Sequence, residues 1–184
     1  RGQDDALCGA APFSIGLLLG NSTTPSSFKD AQKQLDEVRR QQTPQNPFQV
    51  RTCPWCGTLL MPPRRSARDD AYGFRATTRS FTINCINEDC PFHEKLPLQV
   101  VDEAIYADPP TIVVATVDKL ARLSWIPQGG ALFGLDGAPY DPPSLVIQDE
   151  LHLIAGPLGT IVGIYEAAIR SLLSWRGASP KVVA

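Results

Sequence analysis

Four cysteines fall into two short pairs, Cys53-Pro-Trp-Cys56 and Cys85-Ile-Asn-Glu-Asp-Cys90. Two loops that each present two sulfurs can close one tetrahedral cation site, and four thiolates leave no coordination position open. The spacing therefore predicts one structural Zn2+ held by Cys53, Cys56, Cys85 and Cys90. A thioredoxin-like dithiol at Cys-Pro-Trp-Cys is the competing reading, but no redox helix pattern follows it and Gly57 suits a knuckle turn. Disulfides are disfavoured in a chain without secretory marks. With four thiolates filling the site, His93 is expected beside it or at the surface. Cys8 stands apart, as a buried or incidental thiol.

A second cluster lies downstream. The run Ser144-Leu-Val-Ile-Gln148 ends in Asp149 and Glu150, with His152 two positions on. An unpaired buried carboxylate is costly, so a strand ending in two of them must expose them, pair them or hand them a cation. One solution is a metal-phosphate site. Another is that Asp149 and Glu150 open the next helix, where acids favour the positive end of the helix dipole. A metal-dependent hydrolase on Asp149, Glu150 and His152 is weaker, because nearly adjacent side chains cannot all reach one metal without an added ligand.

The elements that must position these groups follow from the rest of the chain. With 184 residues, 43% hydrophobic and 20% charged, the sequence can bury a real core. A net charge of −2 excludes a globally basic nucleic-acid binder. A local basic patch remains in 51–79, where Arg51, Arg64, Arg65, Arg68, Arg75 and Arg79 are offset only by Asp69 and Asp70. It reads as a phosphate-contacting arm or as an ordinary solvated loop. No window approaches the roughly 20 apolar residues of a membrane span, and no signal peptide is evident, so a soluble, cytoplasmic protein is expected.

Residues 12–20 read as a buried strand. A helix should follow, capped by Ser26 or Ser27, with Ala31, Leu35 and Val38 on its inner face. From about 49 to 97 the composition shifts to cysteine, arginine and turn residues, the mark of an inserted subdomain. Beyond it come a strand at Pro-Thr-Ile-Val-Val-Ala-Thr116, a helix through Lys119 with Leu120 and Leu123 facing inward, and a long loop from Ile126 to Pro143. Then follow the Ser144–Gln148 strand, a helix over about 156–175 and a strand beginning at Lys181. Strands alternating with helices imply a mostly parallel sheet, whose ligands sit at the carboxyl ends of the strands, where Thr116 and Asp149-Glu150 fall.

A hydrophobic strand ending in Asp-Glu-x-His resembles the Walker B, or DExH, motif of superfamily 2 helicases and translocases, and "TIVVATVDKLARL" stands where they carry a nucleic-acid-contacting threonine segment. The ordered set "CPWCG", "CPFHEKLPLQVVDEAIY", "ATVDKLARL", "GALFG" and "IQDELHLIAGPLGTIVGIYEAAI" is more specific, and is similar to the DrmA helicase-like proteins of the DISARM antiphage systems. The resemblance implies a partial RecA-like α/β parallel sheet with helices on both faces over 1–48 and 98–184, interrupted by a zinc-ribbon-like insertion over 49–97. It implies that Asp149 holds the Mg2+ bridging ATP phosphates, Glu150 activates the attacking water, and His152 couples the nucleotide site to the nucleic-acid side. Thr116 and Lys119 would meet a nucleic-acid backbone, with DNA favoured and RNA left open. Thr116 as a plain helix cap is the alternative.

The departures are specific. No G-x-x-x-x-G-K-[ST] loop and no Gly-Lys dipeptide occur. Arg1 is not a methionine, and Lys181–Ala184 looks like a strand just starting, so the expectation is a fragment of a motor's first domain, partnered by the rest of its chain, nucleic acid and a defence-system subunit. The rival expectation is a non-enzymatic zinc-ribbon module that binds nucleic acid or protein.

Overall fold

The computed structural model describes residues 13–20, 23–135, 141–149, 157–174, 177 and 180–183. The chain is mixed α/β and divides into two compact units, Arg1–Thr116 and Val117–Ala184.

In the first unit, strand β1 (Ile15–Leu18) is the middle of a three-stranded parallel sheet, between β4 (Leu98–Gln99) and β5 (Ile112–Ala115). Ile15 aligns with Leu98 on one side and with Ile112 on the other. Helix α1 (Phe28–Arg40) starts where Ser27 accepts the Asp30 amide at 3.1 Å, satisfying one of the orphan donors of its first turn. Its Ala31, Leu35 and Val38, spaced by four and three, are the buried residues, as the periodicity predicts. A short helix, α2 (Asp102–Ala107), precedes β5, and its Glu103 accepts the Phe28 amide at 2.9 Å, tying the two helix starts together.

The cysteine-bearing segment packs on α1 around an aromatic cluster. Phe48 lies 4.9 Å from Phe74 and 4.8 Å from Phe81, ring centre to ring centre. Phe74 and Phe81 come from an antiparallel hairpin, β2 (Phe74–Ala76) and β3 (Phe81–Ile83). Leu35, Val38, Leu60, Ile83 and Leu96 complete the core, and Cys53, Cys85 and Cys90 form part of it. Gly73 is required here: a Cβ on it would stand 2.5 Å from the Asn84 carbonyl oxygen. That close approach lets one backbone ladder run across the module. The Leu60 amide donates to Arg51, Gly73 donates to Leu60, and Asn84 donates to Gly73.

In the second unit, α3 (Val117–Arg122) runs into 3-10 turns at Leu123–Trp125 and Pro127–Phe133. The second of these departs from the loop expected between Ile126 and Pro143. Pro127 supplies a fixed φ at its first position, and Leu132 and Phe133 bury themselves, which a glycine-rich composition does not advertise. Strand β6 (Leu145–Ile147) pairs in parallel with β7 (Lys181–Val183), and helix α4 (Pro157–Leu173) is the crossover between them. Leu145, Ile147 and Val183 are 51%, 69% and 53% exposed.

Candidate metal centre

The first cysteine loop is a knuckle. The Cys53 amide donates to the Thr58 carbonyl at 2.8 Å and the Gly57 amide to the Cys53 carbonyl at 2.9 Å, while Thr52 and Leu59 bridge behind them. Gly57 holds φ of 74°, a conformation in which a side chain would be strained, so the tight return depends on glycine. The second loop closes when the Cys85 amide donates to the Phe92 carbonyl and Cys90 to the Asn87 carbonyl. The strand β3 leads directly into it, which is why hairpin and loop share one core.

These two loops bring all four sulfurs within 4.8 Å of one another. Cys53 Sγ lies 3.9 Å from Cys90 Sγ, and Cys56 Sγ lies 3.4 Å from Cys85 Sγ. A tetrahedral cation with metal–sulfur bonds of about 2.3 Å separates its sulfurs by about 3.8 Å, so the donor set suits Zn2+ with shifts of about 1 Å or less. The four cysteines are free thiols in geometry, and they can hold a metal ion such as zinc.

The four are not equivalent. Cys53, Cys85 and Cys90 are buried and Cys56 is exposed. Burial pushes the Cys85 thiol up to about 12, and it raises Cys90 as well. Cys56 is lowered to about 6, first by the Thr58 hydroxyl 3.2 Å from its sulfur and then by the Thr58 backbone amide. His93 stays outside the sulfur cluster. Its Nδ1 lies 3.0 Å from the Cys85 carbonyl, beside the site as its surplus to four thiolates implied. Thr58 and the buried Asn84, whose side-chain amide donates to the Cys85 carbonyl, are contributors the sequence reading passed over. The knuckle pattern Cys-Gly-Thr marks Thr58; nothing local marks Asn84.

The remaining candidate residues are scattered. Arg64 and Arg65 are exposed on the arm between the cysteine pairs. Both acids of that arm are already engaged, Asp69 by Arg39 at 3.4 Å and Asp70 by Arg68 at 2.6 Å. Arg51, Arg64, Arg65, Arg75 and Arg79 make no ion pair among the described residues. Thr116 is exposed just after β5, its amide bonded to the Leu18 carbonyl at 3.3 Å. Lys119, on α3, is only 4% exposed, and Leu123 in the turn that follows is buried as well. Asp149 is exposed, one residue past Gln148, whose amide makes the last bond to β7 at 2.8 Å. Glu150, His152 and Cys8 lie outside the described residues. None of those described is long and apolar enough as a helix to cross a membrane.

Comparison with known proteins bears on the whole set. The chain is 34% identical, over 89% of its length, to the DISARM protein DrmA of Bacillus paralicheniformis. It spans 17% of that protein's length. No family profile matches the sequence.

Proposed function

We propose that this chain is part of the first RecA-like domain of a DExH-box ATPase of a bacterial antiphage system, carrying a structural zinc module. The observation that supports it most is a parallel strand, β6, that ends by presenting Asp149 to solvent, in a chain 34% identical to DrmA. An exposed carboxylate at the carboxyl end of a parallel strand suits a hydrated Mg2+ shared with nucleotide phosphates. In this reading Asp149 ligates that Mg2+, Glu150 orients the attacking water, and His152 links the nucleotide site to the nucleic acid.

A loop that cradles phosphates has no counterpart among these 184 residues, so nucleotide binding requires other parts of the parent protein. Zn2+ on Cys53, Cys56, Cys85 and Cys90 supplies cross-linking alone, holding the two loops of the module together. Thr116 meets the nucleic-acid backbone; Lys119 joins it only if its buried ammonium turns outward. Arg64 and Arg65 contribute phosphate contacts, and DNA is the expected substrate strand.

Glu150→Gln in the full-length protein tests the reading. ATP turnover should fall at least about a hundredfold while nucleic-acid affinity persists, because the fold and the phosphate contacts are untouched. Undiminished turnover would leave the rival, a zinc-ribbon binding module whose acidic pair is structural. The 184-residue chain alone should show no saturable Mg-ATP binding at micromolar nucleotide. Binding abolished by Asp149→Ala would mean that a complete nucleotide site lies within it.

A further inference from the structure

Between the two ligating sulfurs of the knuckle stands Trp55, 66% exposed. A large aromatic ring in water loses hydration on docking and gains stacking, so a ring held in the open by a rigid turn is poised to receive something flat. Trp55 is held. Cys53 and Cys56 fix its backbone from both sides, and Phe92 meets the indole edge-on, with centroids 5.8 Å apart and planes at 68°. That contact steadies the ring, which reduces the ordering cost of a second contact.

Charge indicates what the ring receives. Arg51 lies four residues from Trp55, within about 14 Å along any path of the chain. It is exposed and makes no ion pair among the described residues. Arg75 is exposed two residues beyond Gly73, and the ladder Arg51–Leu60–Gly73 places both arginines on one stretch of backbone pairing. The exposed acids Glu88, Asp89 and Glu94 on the second loop repel phosphate from that side. A strand would then cross Trp55 toward Arg51.

The geometry points to Trp55 as a stacking platform for one base of a single-stranded nucleic acid whose adjoining phosphates are met by Arg51 and Arg75. This rests on the nucleic-acid reading above and adds to it a specific contact site on the zinc module. An aromatic platform beside arginines is tolerant of sequence, since every base has a π face, and it engages unpaired bases because a duplex hides those faces.

The test uses the zinc-loaded full-length protein and a short fluorescein-labelled oligodeoxythymidylate, followed by anisotropy across a salt series. Trp55→Ala should weaken binding about tenfold with the salt slope unchanged, and Trp55→Phe should recover most of the loss. Arg51→Ala should instead reduce the slope by about 0.7. Zinc content is measured for each variant. If Trp55→Ala loses zinc, the decision passes to the wild-type protein photo-crosslinked to an oligonucleotide bearing 5-bromodeoxyuridine, where an adduct on the Trp55 peptide is expected. Unchanged affinity in Trp55→Ala, or no adduct on that peptide, would overturn the platform while leaving the motor reading intact. Failure of the wild-type protein to bind the oligonucleotide at all would sink both.

Discussion

The cysteine module and the β6–α4–β7 unit cover their apolar surface in opposite ways. Between Phe48 and Leu96 the module gathers its apolar side chains into a core shared with α1: three of its four sulfurs are buried, Phe48, Phe74, Leu60, Ile83 and Leu96 are almost fully enclosed, and its only large exposed apolar side chains are Trp55 and Leu59. The β6–β7 pair has the regular alternation of a strand inside a sheet, yet Leu145, Ile147 and Val183 face outward from it. A metal knuckle needs only short-range contacts to enclose a small core, whereas a two-stranded parallel sheet has two faces and one crossover helix.

The difference can be broken at the metal. Treating the full-length protein with a strong chelator should unfold the module selectively, because structural zinc contributes on the order of 10 kcal/mol to such small domains. Hydrogen exchange should then quicken over residues 51–97, and in α1, which packs on them, while α4 keeps its protection. Equal protection with and without chelator would mean that the aromatic core suffices.

A pair of core truncations sharpens the contrast. Phe74→Ala removes a ring packed on Phe48 and Phe81 and should cost about 3–5 kcal/mol in denaturant unfolding of this chain. Ile147→Ala, at a largely exposed position, should cost less than about 1 kcal/mol. If Ile147→Ala proves as severe in the full-length protein, that face of β6 is covered there.

Within the module, the exposed sulfur should behave unlike its neighbours. In metal-free protein kept folded by a stabilising osmolyte, iodoacetamide should alkylate Cys56 before Cys85 or Cys90. Cys56 titrates at about 6, well below an ordinary thiol, so its reactive thiolate is present above pH 6 and is lost as pH falls through that value. The alkylation rate should therefore drop on acidification, with a midpoint near 6. Cys85, raised to about 12 by burial, should stay slow throughout. Peptide mass spectrometry reads both. Faster labelling of Cys85 would reverse the assignment of the exposed ligand.

The smallest expected effect is electrostatic. Replacing Arg64 and Arg65 by Ala in the full-length protein should weaken nucleic-acid binding modestly and flatten its salt dependence by about 1.4, some 0.7 for each lost phosphate contact on a single strand. An unchanged slope would make the arm a solvated loop.

How much could be read in advance follows the range of the forces involved. The cysteine cluster was legible because coordination demands particular residue types at short spacings, so Cys53, Cys56, Cys85 and Cys90 announce themselves as a set that can hold a metal. Helix α1 was legible for a similar reason: Ser27 as a cap and Ala31, Leu35 and Val38 as a stripe are local patterns. Strands β1, β5 and β6 stood out as β-branched and leucine runs. The stretch between Pro97 and Pro110 carried no strong period, and β4 and α2 formed there through contacts with β1 and with the start of α1.

Sequence by itself determined which residues could ligate a cation, where most helices and strands begin, and which strand carries the acidic pair. Each of these depends on chemistry within a few residues. Only the tertiary structure decided that Cys56 is the exposed sulfur, that Lys119 is buried while Thr116 is not, that Arg39 and Arg68 engage the acids of the arm and leave Arg51, Arg64, Arg65, Arg75 and Arg79 without an ion pair among the described residues, and that Trp55 stands in the open against Phe92. Those outcomes turn on which side of a packed core a residue falls, and that depends on partners distant in the chain.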